Sequence, residues 1–153
     1  MLNRYLDVFS SLSKLNVRYL VIGGIAVVLH GVPRATFDLD ILVESTPDNA
    51  QRLLEAFLDA GLGTAALTTP EELLAHEITI FQDKVRIDVK TKTPGMEFES
   101  AWKNKEVMRY QGQDFFVAGK RDLLASMKAS GRDVDQEDFR LLSPDAEDPT
   151  TQL

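Results

Sequence analysis

The sequence predicts an α/β (α+β) domain that ends in a helical pair. Three observations predict it. Short, β-branched apolar runs alternate with stretches of helical period along the first sixty residues. Two later apolar runs flank a polar Gln-Asp-Lys turn, which reads as a hairpin, and helical patterns follow on both sides of Gly131. The chain has 153 residues, 44% hydrophobic and 27% charged, which suits one domain around one core.

The elements follow in order. Leu2, Tyr5, Leu6, Phe9 and Leu12 recur at helical spacing, so residues 2–15 are expected to be a helix. Residues 17–22 (VRYLVI) are short and apolar, the pattern of a buried strand. Gly23-Gly24 breaks that strand. Residues 25–30 suffice for two helical turns, with Gly31 at the C′ position and Pro33 beyond it as stop signals. Residues 37–44 (FDLDILVE) alternate, with Phe37, Leu39, Ile41 and Val43 on one face. Pro47 in a first turn and Gly61 past an end delimit a helix over residues 47–60. Residues 64–69 read as a loop and 70–75 as a short helix. Residues 77–81 and 85–91 form the hairpin, turning at Gln82-Asp83-Lys84. A short helix is expected over 97–104, a small strand pair over 107–110 and 115–117, and the helical pair over 119–130 and 134–142. One domain thus spans residues 1–142. Residues 143–153 are polar and acidic with two prolines, and are expected to be a disordered tail.

Composition excludes several chemistries. There is no cysteine, so disulfides and thiolate catalysis are ruled out, and a count of two histidines argues against a His-rich zinc site. No apolar run approaches the roughly 20 residues that span a bilayer, and the N-terminal stretch has no signal-peptide layout. A cytoplasmic protein is the expectation. The net charge of −7 argues against broad nucleic-acid binding, which depends on phosphate neutralisation, and leaves room for a local basic patch.

The chemistry concentrates between Gly23 and Asp40. On a strand, residues i and i+2 share a face, so Asp38 and Asp40 project together, opposite the apolar side. Two carboxylates that close raise each other's pKa unless a cation sits between them. Magnesium binds through one or two carboxylates plus substrate phosphates, so Asp-x-Asp at a strand start suits a magnesium clamp. A solvated acidic strand face is the competing reading. A strand, Gly-Gly and a helix offer free backbone N–H groups that favour phosphate. A tight turn needing glycine for its backbone angles is the alternative there. In VRIDVKT, Val85, Ile87 and Val89 share one face while Arg86, Asp88 and Lys90 share the other. If that strand lies beside FDLDILVE, Asp88 joins Asp38 and Asp40. Otherwise it is a surface carboxylate paired with Arg86 or Lys90.

Gly23-Gly24, thirteen residues, Asp38-Leu39-Asp40 and a later-strand Asp88 together resemble the signature of the DNA polymerase β-type nucleotidyltransferase superfamily. The text GGIAVVLHGVPRATFDLDILV is similar to the small prokaryotic nucleotidyltransferases that include abortive-infection toxins, and LLASMKASGRDVDQEDFRLL resembles their later helical segment. The resemblance covers roughly residues 17–142. It implies a short mixed sheet with helices packed against it. It implies that Gly23 and Gly24 hold a nucleoside triphosphate, that Asp38 and Asp40 bind two magnesium (or manganese) ions, and that Asp88 binds the catalytic ion and helps deprotonate the attacking hydroxyl. Lys128 would reach the triphosphate.

Arg34 is a candidate phosphate contact or the partner of a nearby acid. Thr36 is expected to bond the backbone near Asp38, a structural role, and His30 to cap a helix end rather than act in catalysis. Arg132 is expected to pair with Asp135 or Asp138 rather than support Lys128, Trp102 to be core or pocket wall, and the Asp133, Asp135, Glu137 and Asp138 cluster to be a solvated face with helix N-terminal charge rather than a second metal site. The implied activity transfers a nucleoside monophosphate from an NTP such as ATP to a hydroxyl on a tRNA end, a protein or a small molecule. A toxin with a cognate antitoxin partner is one such setting. About sixty residues follow VRIDVKT, some fifty of them before the expected tail, so acceptor recognition is expected to be minimal or shared with a partner. A module of the same fold that senses nucleotide or binds a partner without turnover is the alternative.

Overall fold

The computed structural model describes residues 1–36 and 38–143. Phe37 and the tail from residue 144 on lie outside the described residues. Ser143, which the sequence places at the start of the expected disordered tail, is instead buried and closes the last helix through its backbone N–H, which donates to the Phe139 carbonyl at 3.1 Å.

The described chain runs α1 (Leu6–Lys14), β1 (Tyr19–Ile22), α2 (Gly23–Leu29), β2 (Leu39–Val43), α3 (Pro47–Asp59), α4 (Pro70–Leu74), β3 (Ile78–Gln82), β4 (Arg86–Lys90), α5 (Phe98–Lys103), β5 (Glu106–Tyr110), β6 (Gln113–Val117), α6 (Lys120–Ser130) and α7 (Asp133–Leu142). It is a mixed α/β chain, and every expected helix and strand has a counterpart within a few residues. Three local differences stand out. The first helix opens with a 3-10 turn over Leu2–Tyr5. Gly23 and Gly24 form the first turn of α2 instead of preceding it. The expected loop after Gly61 contains a 3-10 turn, Gly63–Leu67, which buries Ala65.

All six strands form one sheet in the order β3-β4-β2-β1-β6-β5. β1 pairs antiparallel with β2, and β2 pairs parallel with β4. β3 is antiparallel to β4, β6 is parallel to β1, and β5 is antiparallel to β6. The central β1 is buried along its whole length, which explains its unbroken apolar text. β4 alternates, with Ile87 and Val89 buried and Arg86, Asp88 and Lys90 half-buried. α1 packs on α3 and β6, and α2 packs on β1 and β2. The buried apolar cluster runs from Leu2 to Leu142 and includes stacked Phe9 and Phe115, 4.5 Å between centroids.

A buried polar clasp fixes the end of β2 nearest α3. Thr46 caps α3 by accepting the Asn49 N–H at 3.2 Å, and Pro47 takes the first helical turn. Asn49 is fully buried. Its Oδ1 accepts from the Arg18 N–H at 2.8 Å, and its Nδ2 donates to the Arg18 and Glu44 carbonyls at 3.0 Å each. One side chain thereby satisfies three backbone groups where β1 begins and β2 ends.

Candidate active site

The sheet register brings the carboxylates together. Asp40 of β2 lies opposite Asp88 of β4, and Ile22 of β1 lies opposite Asp40. Ile80 of β3 continues the row beyond Asp88. Residues opposite one another in register share a face, so Ile80, Asp88, Asp40 and Ile22 form one line across four strands. Asp38 stands just before β2, on the same polar side as Asp40 and level with Arg86.

The glycines make room for this row. Gly23 has φ +69°, a left-handed backbone that other residues rarely adopt, and a Cβ there would strike the Asp40 carboxylate. At Gly24 a Cβ would lie 2.6 Å from Thr36 Oγ1 and 3.6 Å from the Arg34 guanidinium carbon. Gly23, Gly24, Arg34, Asp38, Asp40 and Asp88 all line one cavity of about 400 Å³, a size that suits a small-molecule ligand. Its far wall comes from α6 and α7, including Ser126, Met127, Arg132 and Asp135.

Charge in this cavity is unbalanced. Among the described residues, five carboxylates line it (Asp38, Asp40, Asp88, Asp135 and Asp138) against three cations (Arg34, Lys90 and Arg132). Burial pushes the Asp40 carboxyl up to about 6. Lys90 pulls it down, while Asp88 and Asp38 add to the rise. Arg86 answers part of the excess. Its Nε donates to Asp88 Oδ1 at 3.0 Å and stands 3.6 Å from Asp38 Oδ2, and its Nη2 donates to Asp88 Oδ2 at 3.4 Å. The Asp88 hydrogen bond and charge raise the Arg86 pKa further above its ordinary value.

The donor set suits a hard divalent cation: carboxylate oxygens from neighbouring strands, on one face, at the rim of a cavity. Among the described residues, no three acidic or histidine side chains form a ready cage as they stand. The Arg86 guanidinium instead bridges two of the three carboxylates.

The remaining candidates fall in distinct places. Arg34 is ion-paired with Asp138 of α7. That corrects the expectation of a solvated acidic face for Asp138, which is only 4% exposed and faces the cavity, while Asp133 and Glu137 are exposed as expected. Burial raises its pKa and Arg34 opposes the rise. Asp135 accepts a hydrogen bond from the Ser130 hydroxyl and pairs with Arg132 at 3.8 Å. Lys128 is exposed on α6 and is not among the lining residues, whereas Lys90 is. His30 is the C-cap of α2, with a ring nitrogen 2.9 Å from the Ala118 carbonyl. Trp102 stacks on Phe98, packs against Phe116 and lies under the Arg18 and Lys105 cations, away from this cavity. The sequence names Lys90 only as a possible partner of Asp88, and its place on the cavity wall appears in the fold. Its signal was the Arg-x-Asp-x-Lys alternation, which places it beside Asp88.

No protein-family model matches this chain, and no curated protein sequence matches it. Among the described residues, no helix is long and apolar enough to cross a membrane.

Proposed function

We propose that this chain has the nucleotidyltransferase fold and transfers a nucleoside monophosphate from an NTP to a hydroxyl acceptor with magnesium. The observation that carries the reading is the Asp40–Asp88 register beside Gly23, with Asp38 on the same polar side. A cavity with an excess of carboxylates repels a triphosphate unless divalent cations accompany it, so the same charge pattern favours a metal–nucleotide complex.

Asp38, Asp40 and Asp88 would hold the ions. Bound magnesium supplies activation of the attacking oxygen and charge stabilisation of the leaving pyrophosphate. The chain's own groups do the rest. The Gly23-Gly24 backbone and Lys90 hold the phosphates, with Arg34 at the glycine end of the cavity. Lys90 takes the part expected of Lys128 because it lines the cavity. Asp88 takes the proton as the acceptor oxygen bonds to the α-phosphorus and the bond to the β-phosphate oxygen breaks. The acceptor is a tRNA end, a protein or a small molecule. The cellular setting we favour is the cytoplasm, as the toxin of a toxin–antitoxin pair with a cognate antitoxin. Retention of nucleotide binding without turnover is the second reading, favoured by the Arg86 bridge across the carboxylates.

The test is titration of the four NTPs with magnesium by calorimetry, on wild type and on Asp38→Asn/Asp40→Asn. Binding that needs magnesium and vanishes in the double variant supports the reading. Absence of binding to every NTP overturns it. Pyrophosphate release then separates turnover from sensing.

A further inference from the structure

The carboxylate row carries a cation of its own, and it is tethered. Arg86 and Asp88 are two apart on β4, so their side chains share a face. The guanidinium reaches both Asp88 oxygens and stands between Asp88 and Asp38. Both Asp88 oxygens and Asp38 Oδ2 are among the donors open to a divalent ion at Asp38 and Asp88. A guanidinium within 3.0–3.6 Å of these oxygens draws on the lone pairs and negative charge that a metal ion there would need, so the two compete.

We propose that Arg86 is a built-in counter-cation that competes with the divalent ion for Asp38 and Asp88 and must swing out before metal loads. This rests on the metal-dependent reading of the site. The structure allows the movement. The Arg86 side chain is 38% exposed and Asp38 45%, so the guanidinium has an open way to solvent. The backbone of Arg86 is held separately, its carbonyl accepting the Tyr5 hydroxyl at 3.2 Å. The side chain can therefore leave while β4 stays in place. The competition has a use. Without metal, Asp38 and Asp88 would repel each other beside the already crowded Asp40. Arg86 relieves that repulsion and delays filling of the site until the ion arrives, with the phosphates that outweigh the lost ion pairs.

The experiment is calorimetric titration of Mn²⁺ alone into wild type and Arg86→Gln, with thermal melts of both in EDTA and in Mn²⁺. Arg86→Gln should bind Mn²⁺ roughly 3- to 30-fold more tightly, the span that two partly exposed ion pairs cover. It should melt lower than wild type in EDTA and gain more from Mn²⁺. Arg86→Lys keeps the charge, gives up the fork and should fall between them. If Arg86→Gln folds poorly, Arg86→Lys carries the comparison alone. Wild type that binds Mn²⁺ while the variants bind it no more tightly overturns the competition and leaves the metal site standing. Absence of Mn²⁺ binding in all three proteins overturns both. Binding in Arg86→Gln alone supports the competition in its strongest form.

Discussion

Arg34, in the loop before β2, is ion-paired with Asp138 of α7, a carboxylate that is buried 104 positions further along the chain. The pair joins the loop that enters the carboxylate strand to the wall of the cavity facing it. Removing one partner leaves the other buried and unpaired, which costs more than the pair itself contributes. Arg34→Gln should therefore lose about 1–3 kcal/mol in urea unfolding. Arg34→Gln/Asp138→Asn should recover part of that loss. Equal stability of the single and double variants would contradict the coupling.

Asp40 sets a pH dependence. Its folded pKa is raised to about 6, above the ordinary value near 4, so the folded state holds its proton more tightly than the unfolded chain. The stabilisation this gives is complete below pH 4 and disappears as pH rises through 6. Without metal, Asp40→Asn should then be more stable than wild type at pH 7, by up to about 3 kcal/mol, and the difference should shrink towards pH 4. Melts in EDTA at pH 4.5, 6 and 7.5 check the trend. Metal binding has the opposite slope, since the ion must displace that proton, and should weaken as pH falls below 6.

Gly23 admits no side chain. Its φ of +69° alone costs another residue about 1–2 kcal/mol. A methyl group there also meets the Asp40 carboxylate. Gly23→Ala should lower the urea midpoint by at least that amount and displace Asp40, abolishing metal-dependent nucleotide binding. The Gly31 position gives the control. It also has positive φ, and a Cβ there meets nothing within 4 Å. Gly31→Ala should cost stability without loss of nucleotide binding.

Lys90 and Lys128 are separable. Lys90 lines the cavity and acts through space on Asp40, while Lys128 is exposed outside it. Lys90→Ala should weaken magnesium–NTP binding about tenfold, the loss of roughly one charge-assisted hydrogen bond. Lys128→Ala should change it less than twofold. Calorimetry on the two variants decides the assignment, and the reverse ranking would return the phosphate contact to α6.

The sequence by itself determined the kind and order of the elements. Apolar periodicity, glycine and proline act within a few residues, so β1, α2 and the hairpin of β3 and β4 were legible where they fall. It also determined that Asp38 and Asp40 share a side and that Asp88 sits on the polar face of its strand, because a strand alternates whatever it pairs with. Only the tertiary structure decided that β4 lies parallel to β2 with Asp88 opposite Asp40. Strand neighbours and register come from pairings summed across the whole sheet, and no local stretch encodes them. For the same reason the burial of Asp138, the three backbone bonds of Asn49 and the reach of Arg86 to Asp38 became visible only in the fold. Each depends on a partner that chain folding carries in from a distance.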